Sequence, residues 1–176
     1  SAIVVTRPLS EEEKAAQAWH TEHPSINSRR ILNYYRLLPD NRFLFGGRGH
    51  TKGHASGEQP TYDEIAGTMH RMLPAWANVE IEYRWHGLIC YTRRLSPSIG
   101  RLDEDPSVYF GFGYHGNGVN TATWAGKQLA DWIGEGRAPK LPAIVKGLGG
   151  KFRPARLRLE YLQLGIRLSA LLDRRS

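Results

Sequence analysis

The spacing of apolar and polar residues changes along the chain, and each change marks an expected element. Ala2-Ile3-Val4-Val5-Thr6 is a short apolar run of strand type that needs pairing neighbours, which suggests a polypeptide beginning inside a larger fold; a natural edge strand is the alternative. Ser10 and Glu13 stand at capping-box spacing, and Glu11 to Glu13 suit the positive end of a helix reaching about Trp19. Residues 30 to 46 read as a hairpin, with Ile31, Leu32, Tyr34, Tyr35 and Leu37 before Pro39-Asp40-Asn41, and Phe43, Leu44 and Phe45 before Gly46-Gly47. Thr61 and Glu64 form a second capping box, followed by Ile65, Met69, Met72, Leu73 and Trp76 on one face of a core-packed helix that ends between Pro74 and Asn78.

Val79 to Thr92 is expected as one long strand with a bulge at Gly87, Arg93 to Gly100 as a loop, and Asp103 to Pro106 as a turn. Ser107 to Phe110 is expected as the last strand, and Val119 to Ile133 as an apolar helix closed by Gly134-Glu135-Gly136. Strands and helices mix without regular alternation, so the fold class is α+β, a mixed and largely antiparallel sheet with covering helices.

At 176 residues and 40% hydrophobic content the chain can bury a core, which argues against a disordered tail. Its 19 glycines and 10 prolines show no triplet period, and the single cysteine, Cys90, builds no disulfide framework, so a reducing, cytoplasmic setting is expected. No membrane span or secretory leader is read from the apolar runs. The charge is uneven: from residue 137 onward ten Lys or Arg face only Glu160 and Asp173, whereas the first 136 residues are close to neutral. Leu157, Leu162, Ile166, Leu171 and Leu172 run beside those cations at mostly helical spacing, so a terminal helix packed on the body with a solvated basic face is preferred. A nucleic-acid or acidic-protein binding module is the alternative. His50 and His54 lie four apart in a glycine-rich loop, where helical metal-ligand geometry is improbable, and a metal-free loop is expected.

The chemistry centres on Gly111-Phe112-Gly113-Tyr114-His115-Gly116-Asn117-Gly118, a G-x-G-x-x-G pattern between an expected strand and helix. Glycines there let an anion or ring approach the free N–H groups of a helix start. A dinucleotide-binding unit would need another parallel strand after the helix and an acidic residue at its end; residues 137 to 150 have little strand character, and Asp131 falls inside the helix. The turn is then a helix-start site for something electron-rich, or a tight connection without ligand.

Several motifs occur in order: Trp85-His86-Gly87-Leu88-Ile89-Cys90-Tyr91-Thr92, Ser96-Pro97-Ser98-Ile99-Gly100, Gly113 to Val119, and Tyr34-Tyr35-Arg36-Leu37 with Asp40, Arg42 and Leu44-Phe45-Gly46-Gly47-Arg48. Together they resemble the C-terminal half of FAD-dependent amine and amino-acid oxidoreductases of the D-amino-acid oxidase and glycine oxidase superfamily, nearest the gamma-glutamylputrescine oxidoreductase-like subgroup. The resemblance implies a substrate-domain portion over residues 1–105, a strand and helix of the FAD-binding domain over 106–136, and a basic helical tail over 137–176. It also implies an amine substrate, a Rossmann domain lying outside these residues, and FAD contacts from Pro97, Gly100, Tyr114, His115, Gly116, Asn117, Gly118 and Val119. Ile89 and Gly116 stand where glycine oxidase-like relatives carry arginines for a substrate carboxylate. Cys90 is one residue beyond the position that holds a covalent flavin in sarcosine oxidase relatives; on a strand that shift turns it to the opposite face, so a packed thiol and a non-covalent flavin are expected. Arg94 is read as a surface charge in preference to a contact with an anionic substrate.

Overall fold

The computed structural model describes residues 1–51 and 58–173 and divides into two compact units, Ser1–Leu88 with the C-terminal segment from Leu159, and Ile89–Arg158. The first holds a five-stranded antiparallel sheet in the order β2-β3-β4-β1-β5, from β1 (Ala2–Pro8), β2 (Ser25–Ile26), β3 (Tyr34–Leu37), β4 (Arg42–Gly47) and β5 (Ile81–His86). β1 is paired on both sides, with β4 and with β5, so it is an interior strand and not an edge. The β3–β4 hairpin turns at Pro39-Asp40-Asn41, where Asn41 takes a φ of +63°, a conformation its short polar side chain tolerates.

A register shift in β1 between Val5 and Pro8 interrupts the ladder, and Thr6 repairs it. Its buried hydroxyl accepts from the Phe43 amide at 2.9 Å and donates to the Arg7 carbonyl at 2.7 Å, so it satisfies two backbone groups where the ladder is irregular.

α1 (Glu11–Ala16) begins with the expected capping box, Ser10 accepting from the Glu13 amide and Glu13 from the Ser10 amide; it ends before Trp19. α2 (Glu58–Met72) packs Tyr62, Ile65 and Met69 on Ala2, Val4, Phe43 and Phe45. Thr61 lies inside that helix, so the second capping box is a coincidence of spacing and not the helix start. Trp76, fully buried in a short 3-10 turn after α2, sits edge-on to Phe43 and donates its indole N–H to the Glu13 carbonyl at 2.8 Å.

β5 ends at His86, short of the long strand expected to Thr92, and the Gly87 amide beyond it donates to the Ser1 carbonyl at 3.0 Å. Beyond the second unit, α4 (Arg158–Asp173) belongs to the first. Leu162 and Ile166 are half-buried, but Leu157, Leu171 and Leu172 are exposed and no residue of α4 is fully buried, so the expected packed terminal helix rests on one shallow stripe. At its end Asp173 accepts from the amides of Arg30 and Ile31, each at 2.9 Å.

The second unit is built from a two-stranded antiparallel ribbon, β6 (Ser98–Arg101) and β7 (Tyr109–Phe112), and α3 (Gly118–Glu135). The expected loop over 93–100 therefore ends in a strand, and the expected strand at 107–110 starts two residues later. Ile99, Ala125 and Val145 form the core with Tyr114, Leu129 and Leu141 around them. After α3, which closes on Gly136 at φ +69°, the chain makes one parallel bridge, Ile99 to Lys146, where a dinucleotide-binding unit would place a full strand.

Candidate functional site

The glycine turn is a folded feature of the second unit. Gly113 has φ +73°, and a Cβ on it would run into Thr92, so both backbone and space require glycine. His115 has φ +53°, unusual for a residue with a Cβ, and its ring is held from two sides: Nε2 lies 3.3 Å from Thr92 Oγ1, and Tyr91 packs edge-on with ring centroids 5.0 Å apart. Thr92 Oγ1 in turn donates to the Ser96 carbonyl at 2.7 Å. Burial pushes the His115 pKa down, partly offset by a hydrogen bond to the Ser96 backbone.

α3 starts at Gly118 without a side-chain cap, since Asn117 makes no such hydrogen bond. The Asn117 amide donates to the Tyr114 carbonyl at 2.9 Å, while the amides of the first turn point out of the helix without an intrahelical acceptor. Around them the surface is open: Gly116 has nothing within 4 Å of a notional Cβ, Gly118 only Tyr114 at 3.9 Å, and Val119 is 94% exposed. Gly118 has no positive φ, so the fold itself does not demand glycine there. An uncapped 18-residue helix thus presents first-turn amides and the positive end of its dipole to an open, glycine-lined surface.

The structure brings Tyr114, His115, Gly116, Asn117, Gly118 and Val119 together in this turn. Tyr114 is half-buried on the Ile99 cluster, and burial raises its pKa. Pro97 precedes β6 and Gly100 lies within it, and both are engaged by protein: the Pro97 carbonyl accepts from Arg94 at 2.8 Å, and a Cβ on Gly100 would sit 3.0 Å from Phe110 Cζ.

Arg94 is neither a surface charge nor a free cation. Its terminal amino groups reach the carbonyls of Lys146, Pro97, Val145 and Gly147 at 2.7 to 3.0 Å and the Ser98 hydroxyl at 3.3 Å, stapling the segment after α3 to β6. Cys90 is exposed on irregular backbone, so the strand-face argument for a packed thiol does not apply. Sequence reasoning also missed Thr92, Ser96 and Tyr91 as supports of His115; only the Thr92 to Ser96 spacing hinted at a local side-chain turn.

In the first unit, Tyr62 Oη lies 3.0 Å from His86 Nδ1, and Glu58 lies 3.6 Å from His86 Nε2. His50 packs its ring 6.1 Å from that of His86; His54 lies outside the described residues. Among the described residues no three His, Cys, Asp or Glu side chains come together as a metal would need, and no helix is long and apolar enough to cross a membrane.

A family model described as FAD dependent oxidoreductase matches residues 1–132. Gamma-glutamylputrescine oxidoreductase of Escherichia coli (strain K12) is 32% identical over 176 residues, a match covering 98% of this chain and 39% of that protein. Probable oxidoreductase OrdL of Haemophilus influenzae is 34% identical over 133 residues, covering 76% of this chain and 29% of that one. Among solved structures, L-proline dehydrogenase from P. horikoshii (TM-score 0.61, 23% identity) and glycine oxidase from Bacillus cereus (TM-score 0.60, 20% identity) each align with 80% of this chain and 36% of their own, a likeness of fold. The chain thus spans between 29% and 39% of the length of these relatives. With the family match running unbroken through both the sheet and the glycine turn, the chain belongs to the FAD-dependent oxidoreductases.

Proposed function

We propose that these residues are the C-terminal part of an FAD-dependent enzyme that oxidises the C–N bond of an amine or amino acid by hydride transfer. In this reading residues 1–105 serve the substrate, 106–136 return to the flavin, and 137–176 form a basic tail. The nucleotide half of FAD is held by a Rossmann domain outside these residues, consistent with the 39% coverage of the Escherichia coli relative. The chain alone would then be inactive, and the cytoplasm suits its one unpaired cysteine.

The observation that carries the proposal is the open start of α3, with free amides, no cap, and room above Gly116 and Gly118. FAD, when bound, supplies the acceptor for the hydride and its two electrons. The first-turn amides of α3 would hold an electron-rich edge of that group, and the positive helix end would favour negative charge placed there. Tyr91, Thr92 and Ser96 fix His115, which keeps the turn in its left-handed conformation and stays neutral near pH 7. The substrate loses hydride from the carbon bearing an unprotonated amine, its C–N bond becomes C=N, and the amine proton leaves to solvent. With Ile89 and Gly116 in place of arginines, neither position clamps a carboxylate.

The test is the full-length protein: a bound-flavin spectrum that bleaches anaerobically on adding a primary or secondary amine, with flavin released by acid precipitation. A colourless full-length protein, or one whose flavin no amine reduces, overturns the reading. The basic-module alternative is disfavoured by the family match through residues 1–132.

A further inference from the structure

The sheet has two faces of different character. Tyr35, Leu37, Phe43, Phe45 and Val4 point into the core that α2 covers. Because side chains alternate along a strand, their neighbours point the other way, and the register aligns them in two cross-strand rows. One row is Tyr34, Gly46, Ile3 and Trp85; the next is Arg36, Leu44, Val5 and Tyr83. Gly46 is what lets the Tyr34 ring lie against the sheet, since a Cβ there would overlap the ring. At the far strand the face is open, with Tyr83 50% and Trp85 43% exposed.

Arg36 is the only ionisable cation in these two rows, and it is unlike the arginines near it. Arg7 is paired with Glu13, and Arg42 with Asp40 and Glu82. Arg36 is half-buried, its Nε is shielded from water without a hydrogen-bond acceptor, and among the described residues no carboxylate pairs with it. Arg94 also has an unbonded Nε, but its terminal amino groups are spent on carbonyls; among the described residues no such contact holds Arg36. A partly dehydrated guanidinium without an acceptor is costly, and the cost is recovered when an anion occupies its planar fork.

We propose that Arg36 is an anion-binding, specificity-determining residue that takes a carboxylate of the substrate, with Tyr34, Tyr83 and Trp85 covering the hydrocarbon beside it. The proposal rests on the reading of the protein as an amine oxidoreductase and adds a charged group to its substrate. It also gives the carboxylate a different receptor from the positions occupied by Ile89 and Gly116.

The test uses the full-length protein and butyrate, a carboxylate on a short apolar stem, with butyramide as its uncharged counterpart, titrated by calorimetry so that the readout does not depend on flavin. Butyrate is expected to bind the wild type better than butyramide. Arg36→Met should weaken butyrate by about tenfold or more and leave butyramide unchanged, while Arg36→Lys, keeping the charge but not the fork, should fall between. Butyrate affinity within about twofold of wild type in both variants overturns the proposal, and so does a wild type that does not prefer butyrate to butyramide. Arg36→Lys decides the matter if Arg36→Met does not fold. Flavin content is read separately: Arg36-dependent butyrate binding by a colourless protein upholds the carboxylate site and overturns the oxidoreductase reading, whereas a yellow, amine-reducible protein indifferent to Arg36 does the reverse.

Discussion

His115 Nε2 lies 3.3 Å from the Thr92 hydroxyl, joining the tip of the glycine turn to the loop that precedes β6. Thr92 is buried and also serves the Ser96 carbonyl, so one hydroxyl supports both segments. Thr92→Val keeps the shape and removes the hydroxyl, and should lower stability by about 1 kcal/mol, read as a lower melting temperature. An unchanged melting temperature would show that the hydroxyl does not hold the turn.

Burial holds the His115 pKa below its ordinary 6.5, so the unfolded chain binds this proton more readily than the folded protein. The neutral ring's contribution to stability is therefore complete above pH 6.5 and is lost as pH falls below it. His115→Asn tolerates the left-handed backbone but does not titrate. The melting temperature of the wild type should fall more steeply between neutral and mildly acidic pH than that of the variant, and parallel curves would remove His115 as the cause.

Glu13 behaves in the same sense at lower pH. Hydrogen bonds from Arg7, then from the Ser10 amide, pull its pKa from 4.5 to about 2. The folded state favours the carboxylate, so its stabilisation is present above pH 4.5 and is lost as pH falls toward 2. Glu13→Gln should lower the melting temperature at neutral pH and narrow the gap to wild type under acid.

Gly116 and Gly118 separate the demands of backbone and ligand. Gly116→Ala meets open space but a φ of +94°, and should cost about 1–3 kcal/mol. Gly118→Ala meets neither strain nor a close neighbour and should melt like wild type, whereas Gly118→Val in the full-length protein should lose flavin. Full flavin content and turnover in that valine variant would sink the assignment of the α3 start.

Cys90 is exposed and should react rapidly with a thiol reagent in the folded protein. Acid precipitation of the full-length protein should leave flavin in the supernatant; flavin retained in the pellet would make a covalent anchor necessary.

How much of this was legible depends on how local each signal was. The Ser10/Glu13 box and the Pro39-Asp40-Asn41 hairpin are set by neighbours in sequence, and both stand where spacing put them. Thr61/Glu64 has the same spacing but lies within a helix that tolerates Pro60 in its first turn. The surroundings of the β5 end carry no local signal, because Gly87 is hydrogen-bonded to Ser1, 86 residues away in sequence. Arg94 looked like a surface charge because four of its five acceptors are carbonyls, which carry no side-chain signature, and three of those lie more than 50 residues on. The glycine turn was visible as a pattern, but only dihedral angles distinguish Gly113 and Gly116, which the backbone needs, from Gly118, which it does not. Nothing in the sequence marked Arg36 as unpaired; that required knowing which face of β3 each residue occupies.

The interior position of β1 sets an order of assembly for the sheet. β3 and β4 meet across a short turn and can zip early, whereas β1 closes only after about 40 intervening residues have been brought around, and β5 only after about 80, each at an entropic cost before any contact rewards it. Pulse-labelled hydrogen exchange during refolding should protect amides of β3 and β4 first and those of β5 last. The two cross-strand rows around Arg36, which need all four strands in register, would then be among the last features of the molecule to appear.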